Sequence, residues 1–254
     1  MTSPDVLAAL RLMEGGQLRE AALKLKHLRQ GQPNDAEVLQ AEAMVAMRRG
    51  DFGTAENACA AWEQCMPNLP LPKARLGAAQ LHQGRFDDAR TTLDQALVDH
   101  PNDPHLTRAR AELAEREGQP EDAWQQLEPL REHEDPGIRA EAARVALSAG
   151  HAEIAQAGAE ALLRETAVPT MVHRRAAFVR ARALEAQEQL DLAWNAYVAA
   201  NRIGARPFNP DAYDEYVNQI MAAFPSAPDG DRKPLAKDVV LIVGSPRTGS
   251  TLLE

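Results

Sequence analysis

The sequence has few aromatic residues and only two cysteines. Aromatic side chains make up 4% of the 254 residues, whereas alanine is abundant. This composition is typical of thin, closely stacked helices rather than of a β-sandwich or β-barrel. Cys59 and Cys65 fall in one predicted helix, where a six-residue separation places their Cα atoms ~9 Å apart. That distance is too long for a disulfide, and two reduced thiols indicate a cytoplasmic protein.

Several classes of protein and site lack support in the sequence. No stretch approaches the roughly 18 apolar residues of a membrane span, and the N-terminus has no basic region followed by an apolar one, as a secretory signal requires. The seven histidines are scattered and show no metal-ligand spacing. The net charge of −9 argues against a general nucleic-acid or anionic-membrane surface. We therefore expect no membrane, nucleic-acid or metal partner.

Small residues and prolines recur through the chain with a 34-residue period. The repeated positions are Gly16, Gly50, Gly84 and Gly118; Ala21, Ala55, Ala89 and Ala123; and Pro33, Pro67 and Pro101. Twelve residues before each repeated alanine, including the weaker members Ala155 and Ala193, stands another small residue: Ala9, Ala43, Gly77, Ala111, Ala143 and Ala181. We infer that two helices of each unit approach closely at these positions. The pattern resembles the tetratricopeptide repeat (TPR).

The fold class expected from this period is an all-α TPR solenoid. We predict helical hairpins over residues 2–35, 36–69, 70–103, 104–135, 136–167 and 168–207. Asp103-Pro104 and Asp135-Pro136 predict helix starts, with aspartate as N-cap and proline at the first position. Residues 208–224 predict a helix with one apolar face that caps the solenoid or, alternatively, docks on the domain that follows. Residues 225–237 predict a proline-rich linker, and 238–254 the start of that domain.

The last sixteen residues have the pattern of a strand, a glycine-framed loop and a helix start. Val239–Val243 predicts a buried strand, and a loop follows from Gly244 to Gly249. Inward loop amides, a helix dipole and hydroxyl side chains would form an anion cradle. The Gly-x4-Gly spacing matches a Walker A loop, but Ser250 stands where that motif needs lysine, which argues against an ordinary ATPase or GTPase.

This loop resembles the 5′-phosphosulfate loop of the sulfotransferase family. The likeness is greatest to bacterial sulfotransferases with TPR N-terminal regions and to tyrosylprotein sulfotransferases; Thr248 stands where serine is usual and Ser250 where threonine is usual. The segment 201–213 also resembles the junction between the repeats and the transferase domain. The resemblance implies 3′-phosphoadenosine 5′-phosphosulfate as cofactor. It would be bound by Ser245, Pro246, Arg247, Thr248, Gly249, Ser250 and Thr251.

The resemblance implies an α/β, P-loop-like sulfotransferase domain that moves a sulfuryl group to a hydroxyl or amine acceptor, including one on a protein. Glu254 is the candidate general base, and the alternative is a first-turn carboxylate that interacts with the helix dipole. In the tyrosylprotein relatives the base lies further beyond the loop. The sequence stops at Glu254, so we expect the chain alone to lack most of the catalytic domain. Two alternatives are a non-catalytic TPR scaffold and a P-loop kinase relative.

The repeats predict a concave groove, lined by the first helix of each hairpin, that binds a polypeptide partner or acceptor. The repeat register places four arginines on this face: Arg108, Arg144, Arg175 and Arg182. The same register places Glu112 and Glu185 there, so the positive charge is uneven. The alternative is a rigid spacer or a dimerisation arm.

Overall fold

The structure is a computed structural model that describes residues 3–205 and 209–223. Residues 3–205 contain twelve α-helices that pair in chain order into six hairpins. The first helices are α1 (Pro4–Glu14), α3 (Ala36–Arg49), α5 (Pro70–His82), α7 (Pro104–Arg116), α9 (Pro136–Ser148) and α11 (Thr170–Ala186). The second helices are α2 (Leu18–Gly31), α4 (Phe52–Cys65), α6 (Phe86–Asp99), α8 (Pro120–Leu127), α10 (Ala152–Arg164) and α12 (Leu190–Arg202). The described ranges contain no β-strand.

The hairpins stack because each first helix also contacts the first helix of the next hairpin. The helices of residues 3–205 thus form six hairpins in the region for which six were predicted. Each turn inside a hairpin needs one residue in the left-handed conformation, and glycine supplies it in five of them: Gly16, Gly50, Gly84, Gly118 and Gly150. In the sixth, which lacks that glycine, Glu188 adopts φ 60° instead, at a cost of about 1–2 kcal/mol for a residue with a Cβ.

The predicted small residues form the contact between the two helices of a hairpin. The repeated alanines from Ala21 to Ala193 are all buried, as are the six small residues twelve positions earlier. Gly77 on α5 shows why size matters: a Cβ there would lie 2.6 Å from Cγ of Leu93 on α6. A larger residue would separate the helices, so the periodic small residues set how closely they pack.

Aspartates begin several helices, as the sequence predicts for two of them. The Asp103 carboxylate accepts hydrogen bonds from the amides of His105 and Leu106, and Asp135 accepts one from Gly137. One second helix is shorter than the pattern predicts. Helix α8 has 8 residues where α2, α4 and α6 each have 14, and a 3-10 turn at Glu128–Leu130 follows it. Pro129 in that turn cannot donate the backbone hydrogen bond that a continuing helix needs.

Residues 206–254 belong to a second unit, in which the structure describes one helix, α13 (Pro210–Ala223). Its residues Tyr213, Tyr216, Val217 and Ile220 follow a helical spacing and so share one face. The capping role of this helix and the proposed limits of the linker and C-terminal domain stay predictions. The predicted strand at 239–243 lies outside the described residues.

Candidate functional site

The first helices of five successive hairpins line one cavity of about 580 Å³. Met47 of α3 lies at one end and Arg175 of α11 at the other, with residues of α5, α7 and α9 between them. The lining is rich in charge: Arg75, Arg108, Arg116, Arg144 and Arg175 face Glu112, Glu115 and Glu141. The cavity therefore carries more arginines than carboxylates, although the whole chain has a net charge of −9.

One part of the cavity is an ion-pair network that is already neutralised. Arg144 Nη1 donates to Oε1 of Glu115 at 3.0 Å, and Arg144 Nη2 donates to Oε1 of Glu141 at 2.7 Å. Arg175 Nη1 donates to the other oxygen of Glu141 at 3.0 Å. Burial opposes ionisation of Glu141, but the hydrogen bonds and charge of Arg144, together with Arg175, lower its pKa. These two arginines thus have carboxylate partners within the fold.

The other part of the cavity contains arginines that the fold leaves without such partners. Neither Arg75 on α5 nor Arg108 on α7 has a hydrogen bond or ion pair to another residue in the described ranges. Nε of Arg75 is buried and has no hydrogen-bond partner there. Burial lowers the pKa of Arg75, and the nearby charge of Arg108 lowers it further. This corner therefore brings two like charges together.

His82 lines the same cavity, and the charges of Arg75 and Arg108 also act on His105. Burial lowers the pKa of His105, and the charges of Arg108 and Arg75 act in the same direction. The ring of His82 stacks on Phe52 with centroids 4.8 Å apart, and its Nε2 lies 3.5 Å from Oε1 of Glu112. A histidine side chain has no negative charge, so neither ring compensates the charges of the two arginines.

A smaller cavity of about 340 Å³ lies beside the short helix α8, lined by Trp124 and several alanines. Its wall includes Arg139, whose Nε is also buried without a hydrogen bond among the described residues. The rest of that guanidinium is engaged: its two terminal nitrogens donate to Glu165 at 2.7 and 2.8 Å. This second cavity is therefore largely apolar and lacks a free cation comparable to Arg75.

Three of the four arginines predicted on the groove, Arg108, Arg144 and Arg175, line the large cavity, whereas Arg182 on α11 is exposed and does not line it. Arg75 also lines the cavity and was not among the arginines predicted there. The repeat register could have predicted this position. Arg75 lies two residues before Gly77, and Glu141, which also lines the cavity, lies two residues before the equivalent Ala143.

The predicted cofactor loop lies outside the described residues. This applies to Ser245, Pro246, Arg247, Thr248, Gly249, Ser250 and Thr251, and to Glu254. Within the described ranges, no group of three or more His, Cys, Asp and Glu side chains could hold a metal ion. No helix there is long and apolar enough to cross a membrane.

Comparisons with known proteins identify the repeats. Residues 46–113 match the family described as tetratricopeptide repeat. The thermophilic TPR protein TTC0263 of Thermus thermophilus is similar over 69% of this chain and 96% of its own, with 20% identity and a TM-score of 0.59. A tetratricopeptide repeat protein of Parabacteroides merdae is similar over 85% and 83%, with 17% identity and a TM-score of 0.61. PilW, a type IV pilus biogenesis factor, is similar over 88% and 94%, with 16% identity and a TM-score of 0.54.

These similarities show that the described hairpins form a TPR solenoid. At such identities the solved structures establish the fold and leave the function open. No curated protein sequence gives a significant match. The family match lies outside residues 239–254, so a sulfotransferase relationship rests on the sequence resemblance alone.

Proposed function

We propose that the repeat unit is a protein-interaction scaffold whose first-helix face binds an extended, acidic polypeptide segment. The observation that carries this proposal is the large cavity, in which five arginines face three glutamates in an acidic chain. TPR solenoids use extended surfaces of this kind for binding. Because the lining comes from five successive hairpins, an occupant in extended conformation would contact more of the surface than a compact ligand.

The charge distribution supports an acidic partner in particular. A chain with net charge −9 repels acidic segments over most of its surface, so a local excess of arginine directs them to one place. Both cysteines are free thiols, which agrees with the cytoplasmic location proposed from the sequence.

The experiment that tests this function compares acidic, neutral and basic peptides of equal length for binding to the full chain by fluorescence anisotropy. We expect the acidic peptide to bind most tightly and to weaken as salt rises from low to moderate concentration, because salt screens charge interactions. Equal, weak binding of all three peptides would contradict the proposal. The repeats would then be better explained as a spacer or a dimer contact.

A second function rests on the C-terminal sequence. We propose that Ser245–Thr251 binds the 5′-phosphosulfate of 3′-phosphoadenosine 5′-phosphosulfate, with Arg247 also stabilising charge on the bridging oxygen as the sulfuryl group leaves. Glu254 remains the weaker candidate for the base. The sequence pattern supports this proposal through its predicted strand, its two framing glycines, its arginine and its hydroxyl residues. The repeats would then hold a polypeptide acceptor near the active site and raise its effective concentration.

The sulfotransferase proposal requires a further α/β segment encoded after Glu254. The first test is therefore to sequence the gene downstream of the Glu254 codon. In a protein that contains this segment, calorimetry with the desulfated product, 3′,5′-bisphosphoadenosine, measures cofactor binding directly. We expect Arg247→Ala to weaken it clearly. A charged hydrogen bond should contribute more than a twofold change in affinity. An affinity of Arg247→Ala within about twofold of the wild type would therefore show that Arg247 does not bind the cofactor.

A further inference from the structure

A third cavity, of about 400 Å³, lies between the first two hairpins. Residues of α2, of α3 and of the start of α4 line it, and it shares no lining residue with the large cavity. Its floor includes the buried Leu25, Val45 and Ala46, and the side chain of Leu23 at its edge is 60% exposed. Cavities of this size with an apolar lining are typical of small-molecule sites.

A polar clip joins neighbouring hairpins at three of the later junctions of the solenoid. It connects the residue after the repeated alanine of a second helix to the residue before the left-handed position of the next turn. The three clips are Glu56–Gln83, Arg90–Glu117 and Gln156–Gln187. In the first of them, Nε2 of Gln83 donates to Oε2 of Glu56 at 2.9 Å. At the junction without such a pair, the ring of Trp124 contacts that of His151.

The first junction lacks the clip. Ala22 occupies the position that Glu56 has in the next junction, and Arg49 occupies that of Gln83. The alanine side chain is too short to reach across, and the guanidinium of Arg49 has no hydrogen bond or ion pair in the described ranges. Ala22 and Arg49 both line the third cavity. The cavity is therefore the space that the missing clip leaves.

The charges at the rim of the cavity are complementary to an anion. Arg19 and Lys26 of α2 line it, are exposed and, like Arg49, form no ion pair in the part of the chain that the structure describes. Of the two carboxylates in the lining, Glu42 is paired with Arg29, and Asp51 caps helix α4. Three cations thus face one carboxylate that no cation balances.

We propose that this cavity binds a small amphiphilic carboxylate, a molecule with a short apolar body and one carboxylate group, such as a medium-chain fatty acid. The apolar body lies against Leu23, Val45 and Ala46. The carboxylate lies at Arg49, as the carboxylate of Glu56 lies at Gln83 in the next junction, and a guanidinium binds it through charge-assisted hydrogen bonds. The site is separate from the polypeptide groove and does not depend on the function proposed for that groove.

The test is an amide NMR titration of the full-length protein with octanoate, with octanol and acetate as matched probes. We expect octanoate to shift the signals of Leu23, Val45 and Ala46. It should bind at least about tenfold more tightly than acetate, because acetate lacks the methylenes that the cavity buries. It should bind about fivefold more tightly than octanol, which lacks the charge. Equal binding of octanoate and either probe, or shifts confined to other residues, would overturn the proposal.

The variant Arg49→Gln tests the contact with the carboxylate, and Arg48→Gln is its control. Arg48 precedes Arg49 on α3, is also exposed and free of ion pairs in the described ranges, and does not line the cavity. Arg49→Gln should weaken octanoate by about fivefold and leave octanol nearly unchanged, whereas Arg48→Gln should change octanoate binding by less than about twofold. Equal effects of the two variants on octanoate would contradict the assignment of Arg49.

The variant Ala22→Glu restores the missing clip from within the chain. Its carboxylate should pair with Arg49 and occupy the cavity, so octanoate binding should be lost. The new pair should raise the melting temperature by about 1–2 °C, which also shows that the variant folds, and the rise should disappear when Ala22→Glu is combined with Arg49→Gln. An Ala22→Glu variant that binds octanoate as tightly as the wild type would show that this cavity is not the site.

Discussion

Gly77→Ala tests the close helix contact on which the solenoid depends. The added Cβ would lie 2.6 Å from Cγ of Leu93 and 2.7 Å from its Cδ2. Leu93 is fully buried against Leu81 and Leu106 and has little room to move. Alanine gains about 1 kcal/mol of helix propensity over glycine, whereas overpacking costs about 1–3 kcal/mol. We therefore expect a net loss of about 1 kcal/mol, which lowers the melting temperature by about 2–4 °C.

Gly53→Ala is the matched control because a Cβ at Gly53, in helix α4, would meet no atom within 4 Å. It should stabilise the protein by about 0.5 kcal/mol, so the two substitutions should have opposite signs. The assay is urea unfolding followed by circular dichroism. In a Leu93→Ala background the cost of Gly77→Ala should disappear, because the two residues are directly coupled. If Gly77→Ala stabilises the protein as much as Gly53→Ala does, the packing described for this hairpin is wrong.

Three further predictions concern the buried charges and thiols. Arg144→Met leaves the buried Glu141 and the partly buried Glu115 without their main cation. It should cost about 2–3 kcal/mol in urea unfolding, less than the loss of a fully buried partner, because 29% of the Arg144 side chain is exposed. Arg110→Met, which breaks a more exposed pair, should cost less than about 1 kcal/mol. Burial raises the pKa of Cys59 to about 12, so iodoacetamide should label only Cys65 in the native protein, and rapid native labelling of a Cys65→Ser variant would contradict this. Arg144 holds the pKa of Glu141 below its ordinary value of 4.5 despite burial. The stability from this pairing is therefore present at neutral pH and is lost as the pH falls below 4.5. The free energy of unfolding should fall less steeply with acid in Glu141→Gln than in the wild type.

Much of the fold could be predicted because it depends on local features of the sequence. A residue without a large side chain is required wherever two helices meet closely, so Gly77 and Ala143 reveal the register. An aspartate before a proline starts a helix through contacts within three residues, as at Asp103. The repeat period alone does not predict the shortening of helix α8, although Pro129 is visible in the sequence.

The charge state of the groove could not be predicted because it depends on contacts between hairpins. Arg144 meets Glu115, 29 residues away, and Arg175 meets Glu141, 34 residues away. The repeat register placed Arg144 and Arg175 on the groove but could not show that carboxylates from neighbouring hairpins neutralise them. It also could not show that Arg75 has no carboxylate partner among the described residues. Which arginines remain available to a ligand is a property of the stacked structure.

The most direct test of the account is to locate a bound acidic segment on the solenoid. An acidic peptide with a photoreactive side chain, incubated with the full chain and irradiated, gives crosslinks that mass spectrometry assigns to residues. We predict crosslinks on the cavity-lining faces of α5, α7, α9 and α11, and their loss when glutamine replaces the glutamates of the peptide. Crosslinks confined to the second helices, or the same crosslinks from the acidic and the neutral peptide, would contradict the claim that this groove recognises an acidic polypeptide.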